Sequence, residues 1–205
     1  MPRNVPLLDE QHSLTVIHGL RDGCRDAWTA LYRGYSGDIW RYVARLLGPE
    51  SPEIGDVVQE TFLAAARSAR TFDSTRGTLW SWLTGIAHRQ VALAARRNHR
   101  ATRVLQLAES GMLNIPWLGD GSEIPDAVWE RRELTEIVRW TLAELSPEYA
   151  ALLAGKYLDE HSLETLSEQW GSTVDAIKSK LARARREFRE LFQRVTRSSF
   201  TAADP

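Results

Sequence analysis

His161–Arg189 reads HSLETLSEQWGSTVDAIKSKLARARREFR and divides at Gly171. Before the glycine, Leu163, Leu166 and Trp170 recur at three- and four-residue spacing, which is one apolar face of a short helix. After it, Val174, Ile177, Leu181, Ala184 and Phe188 repeat the pattern for a longer helix. Gly171-Ser172-Thr173 is turn chemistry: glycine tolerates positive φ at a helix end, and Ser172 or Thr173 can cap the next helix. Two helices joined by a tight, glycine-containing turn make a helix-turn-helix.

The outer face of the second helix carries Lys178, Ser179, Lys180, Arg183 and Arg186. Cations and short hydroxyls on a helix that fits the major groove are residue types that meet phosphates and base edges. Any amphipathic helix pair shares this spacing, and a basic face is often only solvated. From Ala176 to Arg197, however, eight Lys/Arg stand against two Glu, a local electrostatic footprint.

The chain has 205 residues and a formal net charge of -1, so positive charge on it must be local rather than global. Gly85–Leu107 holds five Arg and no acid, whereas Glu109–Glu148 holds nine Asp/Glu and three Arg. Two basic islands separated by an acidic bridge suggest two surfaces facing a polyanion. Cys24 is the only cysteine, which excludes an intrachain disulfide and a cysteine-built zinc site. No apolar run reaches membrane-spanning length and the first residues lack a signal peptide's pattern, so a cytoplasmic protein is expected.

Working outward, the pattern is helical throughout, and the expected class is all-α: two helical domains joined by a flexible linker, with the helix-turn-helix in the second. Leu14, Ile17 and Leu20 predict a short first helix. Trp28, Leu31, Tyr32, Tyr35, Ile39, Val43, Leu46 and Leu47 predict a long second one, its aromatics in the core. Ser51-Pro52-Glu53 reads as a cap, a first-turn proline and a first-turn acid. Ile54, Val57, Val58, Thr61, Phe62 and Ala65 then form a buried stripe, leaving Asp56, Gln59, Glu60 and Leu63 on the other side. A fourth helix is expected from Thr78 to about Asn98, with Trp80, His88, Arg89, Arg96 and Arg97 largely off its apolar face. Residues 101–126 break the pattern and read as the linker, with an apolar patch at 112–118. Ser146-Pro147-Glu148 repeats the cap signature ahead of the quoted stretch. The expected division is 1–100, linker 101–126, 127–197, and a tail 198–205.

Asp56-Val57-Val58-Gln59-Glu60-Thr61-Phe62, Phe72-Asp73, Arg76-Gly77, Trp82-Leu83-Thr84-Gly85-Ile86-Ala87 and Arg96-Arg97 together resemble the second region of extracytoplasmic-function sigma factors. Leu142–Tyr149, the Gly171 turn and Ile177–Arg185 resemble their fourth region, in the family's order. The resemblance implies an initiation factor that binds core RNA polymerase and directs it to promoter DNA. It places core polymerase binding at Asp56, Gln59, Glu60 and Leu63. Minus-ten contact would fall to Trp80, His88, Arg89, Arg96 and Arg97, a mix of rings and cations that suits single-stranded DNA. Minus-thirty-five contact would fall to Thr173, Val174, Asp175, Ala176, Lys178, Ser179, Lys180 and Arg183. An anti-sigma factor is a further partner the resemblance implies, and the 112–118 patch a possible part of that contact. No cofactor, metal or small-molecule substrate is implied, nor insertion in a membrane.

The sequence departs from the family's pattern at Arg89, where Asn is common, and at Ala94, where Asp is. Lys180 replaces a usual Arg and loses its bidentate geometry, and Ser172 stands where an apolar residue is frequent. These departures bear on base preference. The competing reading is a helix-turn-helix regulator that is not a polymerase subunit, which would have no use for the Asp56–Phe62 face. An enzyme is disfavoured: the five His are scattered, and neither a phosphate loop nor a nucleophile elbow is present.

Overall fold

The computed structural model describes the backbone of residues 10–109 and 127–201, and side chains over 15–97 and 134–195. Every regular element among the described residues is helical. The order is α1 (Glu10–Arg21), α2 (Arg25–Leu47), α3 (Ile54–Ser68), a 3-10 turn (Ala69–Thr71), α4 (Leu79–Glu109), α5 (Ala127–Glu144), α6 (Pro147–Tyr157), α7 (Leu163–Trp170) and α8 (Val174–Thr201). The expected all-α class is the observed one.

The first half packs α2, α3 and α4 against one another with α1 laid on α2. Leu31, Ile39, Val43, Leu83 and Val91 are wholly buried between them, at about 1.5–3 kcal/mol for each such side chain removed from water. The second half packs α5, α6 and α7 on α8, around Leu152, Leu166, Ile177 and Ala184. Buried hydroxyls within the helices are satisfied locally: Thr61 donates to the Val57 carbonyl (2.7 Å), Thr84 to Trp80 (2.6 Å) and Thr141 to Ile137 (2.7 Å).

The two Ser-Pro-Glu signatures have different outcomes. Ser146 accepts from the Tyr149 N–H and caps α6, with Pro147 at its first position. Ser51 does not cap α3, which starts at Ile54; Ser51-Pro52-Glu53 forms the turn before it, and the Ile54 N–H donates to the Ser51 carbonyl (3.4 Å). Helix α4 also runs past Asn98 to Glu109, so the first residues of the expected linker are helical. The 112–118 patch lies outside the described residues. At the other end α8 continues to Thr201, into the expected tail.

The halves do not stand apart. Helix α4 packs on α5, α6 and α7, α2 packs on α5 and α6, and the buried residues form one continuous cluster. Polar links across the junction among the described residues include His88 to the Leu145 carbonyl (3.0 Å), Arg96 to Glu144 (3.0 Å), Arg45 to Asp159 (3.2 Å) and Thr78 to the Gln169 carbonyl (2.8 Å).

Candidate functional site

The α7–α8 turn is built as its residues dictate. Ser162 caps α7 by accepting from the Thr165 N–H (3.0 Å). Gly171 closes it at φ 56°, ψ 43°, the left-handed cap that glycine adopts without a Cβ penalty. Thr173 then accepts from the Ala176 N–H (3.2 Å) at the start of α8. Ile177, Leu181 and Ala184 face inward, which turns Thr173, Asp175, Lys178, Ser179 and Arg183 outward. Val174, Ala176 and Lys180 are half-buried. Lys178 pairs with Asp175 (3.1 Å) and Lys180 with Glu148 (2.5 Å).

Helix α4 is entered through a structured turn. Phe72 is buried with its ring 5.0 Å from that of Trp82, and the Asp73 carboxylate accepts from the Thr75 N–H (2.9 Å) and hydroxyl (2.7 Å). Those hydrogen bonds hold the Asp73 carboxyl below the usual range. The motif residues Phe72-Asp73 thus shape the loop that delivers Trp80, which is half-buried. Arg89, Arg96 and Arg97 are exposed, and Leu93 between them is 54% exposed.

His88 differs from expectation. It is buried, not on an open face of α4: Nε2–H donates to the Leu145 carbonyl and Nδ1 accepts from the Tyr42 hydroxyl (2.9 Å). The sequence pattern marked one apolar face of α4, but the second half covers another, and His88 lies under that cover. Burial lowers its pKa, against opposing pulls from the Leu145 and Ala143 carbonyls and from Glu144.

On α3, Asp56, Gln59, Glu60 and Leu63 are all exposed, with Ile54, Val57, Val58, Thr61 and Ala65 turned inward. Gln59 and Leu63 border an open groove of about 500 Å³, completed by Trp28, Tyr32, Gly55, Phe62 and Ala66. Tyr32 is 53% exposed and meets Phe62 edge-on at 4.9 Å, so it lines the surface and not the core as its spacing on α2 suggested. The groove was missed in the sequence because it joins α2 to α3, and helical periodicity reports only one helix at a time. Among the described residues no helix is long and apolar enough to cross a membrane.

Residues 31–101 match the family model of Sigma-70 region 2. The chain is 28% identical over 166 residues to the ECF RNA polymerase sigma factor SigL of Mycobacterium tuberculosis, covering 81% of this chain and 89% of the relative. It is 26% identical over 178 residues to the ECF RNA polymerase sigma factor SigW of Bacillus subtilis, covering 85% and 93%. Among solved structures, that of CnrH in complex with the cytosolic domain of CnrY is similar at 19% identity and a TM-score of 0.44, covering 89% of this chain and 97% of that one. The region 2 match runs from α2 through α3 and most of α4, and the SigL and SigW alignments run well beyond it: the chain carries a Sigma-70 region 2 and is similar over most of its length to extracytoplasmic-function sigma factors.

Proposed function

We propose that this chain is a sigma factor of the extracytoplasmic-function type, which binds core RNA polymerase through the outer face of α3, captures unpaired minus-ten bases along α4, and reads the minus-thirty-five element with α7 and α8 as a helix-turn-helix. The observation that carries the reading is the outward set on α8. Lys178, Ser179 and Arg183 are presented by a helix whose N-terminus is fixed by the Gly171 turn and the Thr173 cap. A helix so presented fits the major groove, with its first turns toward base edges.

Gln59 and Leu63 line an apolar groove, and exposed Asp56 and Glu60 share their side of α3, a composition suited to a protein partner. Core polymerase is the occupant we assign to it. An anti-sigma factor covering the same face would block docking. On α4, exposed Arg89, Arg96 and Arg97 would meet phosphates while half-buried Trp80 would offer a ring for stacking. Arg89 and Ala94 depart from the family's pattern, and Ala94 is wholly buried, so base preference at the minus-ten element would rest on Arg89. No catalytic group is needed, because the work is binding and strand capture.

Run-off transcription with purified core polymerase on a genomic fragment library tests this. Starts that appear only with the protein added are the expected result. If core polymerase fails to bind the protein, the reading gives way to a helix-turn-helix regulator that acts without being a polymerase subunit.

A further inference from the structure

Helix α4 carries an apolar side chain in the middle of a cationic row. Leu93 is 54% exposed, with Arg89 one turn before it and Arg97 one turn after, both exposed as well. Arg96, beside Arg97, pairs with Glu144 of α5 (3.0 Å). One side of the helix is taken up by the core through Leu83, Ala87, Val91 and Ala94, all wholly buried, and His88 lies under the second half of the chain. Leu93 falls between these two covered sides, so it serves neither packing. Single exposed leucines are common on protein surfaces. This one differs in standing between two arginines at neighbouring turns of the same helix.

The spacing of the row matches a particular target. Arg89 and Arg97 are eight residues apart, about 12 Å along the helix axis. The major groove of B-form DNA is about 12 Å wide. A helix crossing that groove can set one arginine at each phosphate wall, with Leu93 over the floor between them. Leucine has neither donor nor acceptor, and the apolar feature on the floor of the major groove is the thymine C5-methyl group. Trp80 does not belong to this row: it lies about 140° round the helix from Leu93 and about 20 Å along it. The ring and the row therefore address different stretches of DNA. We propose that Leu93 contacts the methyl group of a thymine in paired DNA adjoining the unpaired minus-ten bases, and so adds a second reader of base identity beside Arg89.

This assignment rests on the promoter-binding reading and sharpens it. The two arginines supply attraction to phosphate, which is blind to sequence, and the leucine supplies discrimination. Removing one methyl group from water is worth about fourfold in affinity.

The test takes promoters from the run-off starts and measures binding of short duplexes carrying the minus-ten element to the complex of core polymerase with the full chain. Each thymine in and beside the element, on either strand, is replaced in turn by deoxyuridine, which keeps its pairing and loses only the methyl group. The native chain is expected to lose about fourfold in affinity at one such thymine. Leu93→Ala, an exposed substitution checked for folding by circular dichroism, is expected to bind the thymine duplex about fourfold more weakly and to lose nothing further at that deoxyuridine. The assignment is overturned if no thymine shows this coupling. That covers a variant that binds as the native chain does, and one weakened equally on both duplexes, as a contact with polymerase would be. Starts aligned on elements with no A·T pair overturn it too. In each of these cases the starts themselves uphold the promoter reading. Absence of both starts and core binding overturns that reading and the assignment together.

Discussion

The Tyr42 hydroxyl and His88 Nδ1 lie 2.9 Å apart in the buried junction between α2, α4 and the α5–α6 turn. Because Nε2–H is committed to the Leu145 carbonyl, Nδ1 must be the acceptor and Tyr42 the donor, which defines a neutral imidazole in one tautomer. A charged ring here would be buried, with the tyrosine hydrogen displaced from its partner.

Stability should therefore fall on mild acidification. The folded pKa of His88 is below its ordinary 6.5, with burial the largest cause. The unfolded chain then binds the proton more readily, so stability is full above the ordinary value. It declines as pH drops through 6.5 toward the lowered folded value, then levels off for this group. Denaturant midpoints on either side of 6.5 should differ in the native sequence, and the difference should shrink in His88→Leu. Tyr42→Phe, which strands Nδ1, should cost about 1–3 kcal/mol at neutral pH.

Gly171→Ala should destabilise the second half. The backbone sits at φ +56°, and an added Cβ would come 3.2 Å from Thr78 Cγ2. Left-handed backbone costs a non-glycine residue about 1–2 kcal/mol. A melting temperature lower by roughly 2–8 °C is the expected reading for a chain of this size. An unchanged melting curve would show that the turn adopts another conformation in solution.

The paired serines give a contrast within one molecule. Ser146→Ala removes a cap and should cost about 1 kcal/mol. Ser51→Ala removes no helix cap and should cost clearly less. Urea unfolding of both variants, compared by midpoint at equal slope, decides it.

That contrast marks what was legible in the sequence. Within a helix or a turn, local rules sufficed: Leu166, Ile177, Leu181 and Ala184 are inward as their spacing requires, and Gly171 ends α7 as its chemistry requires. On α3 the same spacing separates Val57 and Thr61 from Asp56 and Glu60. What failed depends on partners distant in sequence. His88 is buried by Leu145, 57 residues on, and Tyr32 is exposed beside Phe62 because α2 leans on α3 at that point. Ser51 and Ser146 precede identical Pro-Glu pairs, so the dipeptide alone cannot say which serine lies close enough to the helix to cap it.

Leu63→Asp should weaken binding of core polymerase while leaving the fold intact. The side chain is 41% exposed at the groove rim, so a carboxylate there stays solvated in the free protein but would be desolvated in a complex. A shift of about 1.4 kcal/mol or more, tenfold in affinity, is expected in a pull-down titration with unchanged helical content. Undiminished binding would move the polymerase contact off this part of α3.

Arg183→Ala and Ser172→Ala should separate on upstream-element DNA in the presence of polymerase. Arg183 is exposed on α8, and as a phosphate contact its loss should lower affinity and reduce the slope of affinity against salt by about one ion. Ser172 lies in the turn, where its N–H donates to the Ser167 carbonyl (3.0 Å), a bond the backbone keeps in the alanine variant. Its substitution should leave that slope unchanged. If Arg183→Ala lowers affinity equally at every salt concentration, the arginine acts through a base edge or through packing, and the orientation of α8 in the groove must be rotated accordingly.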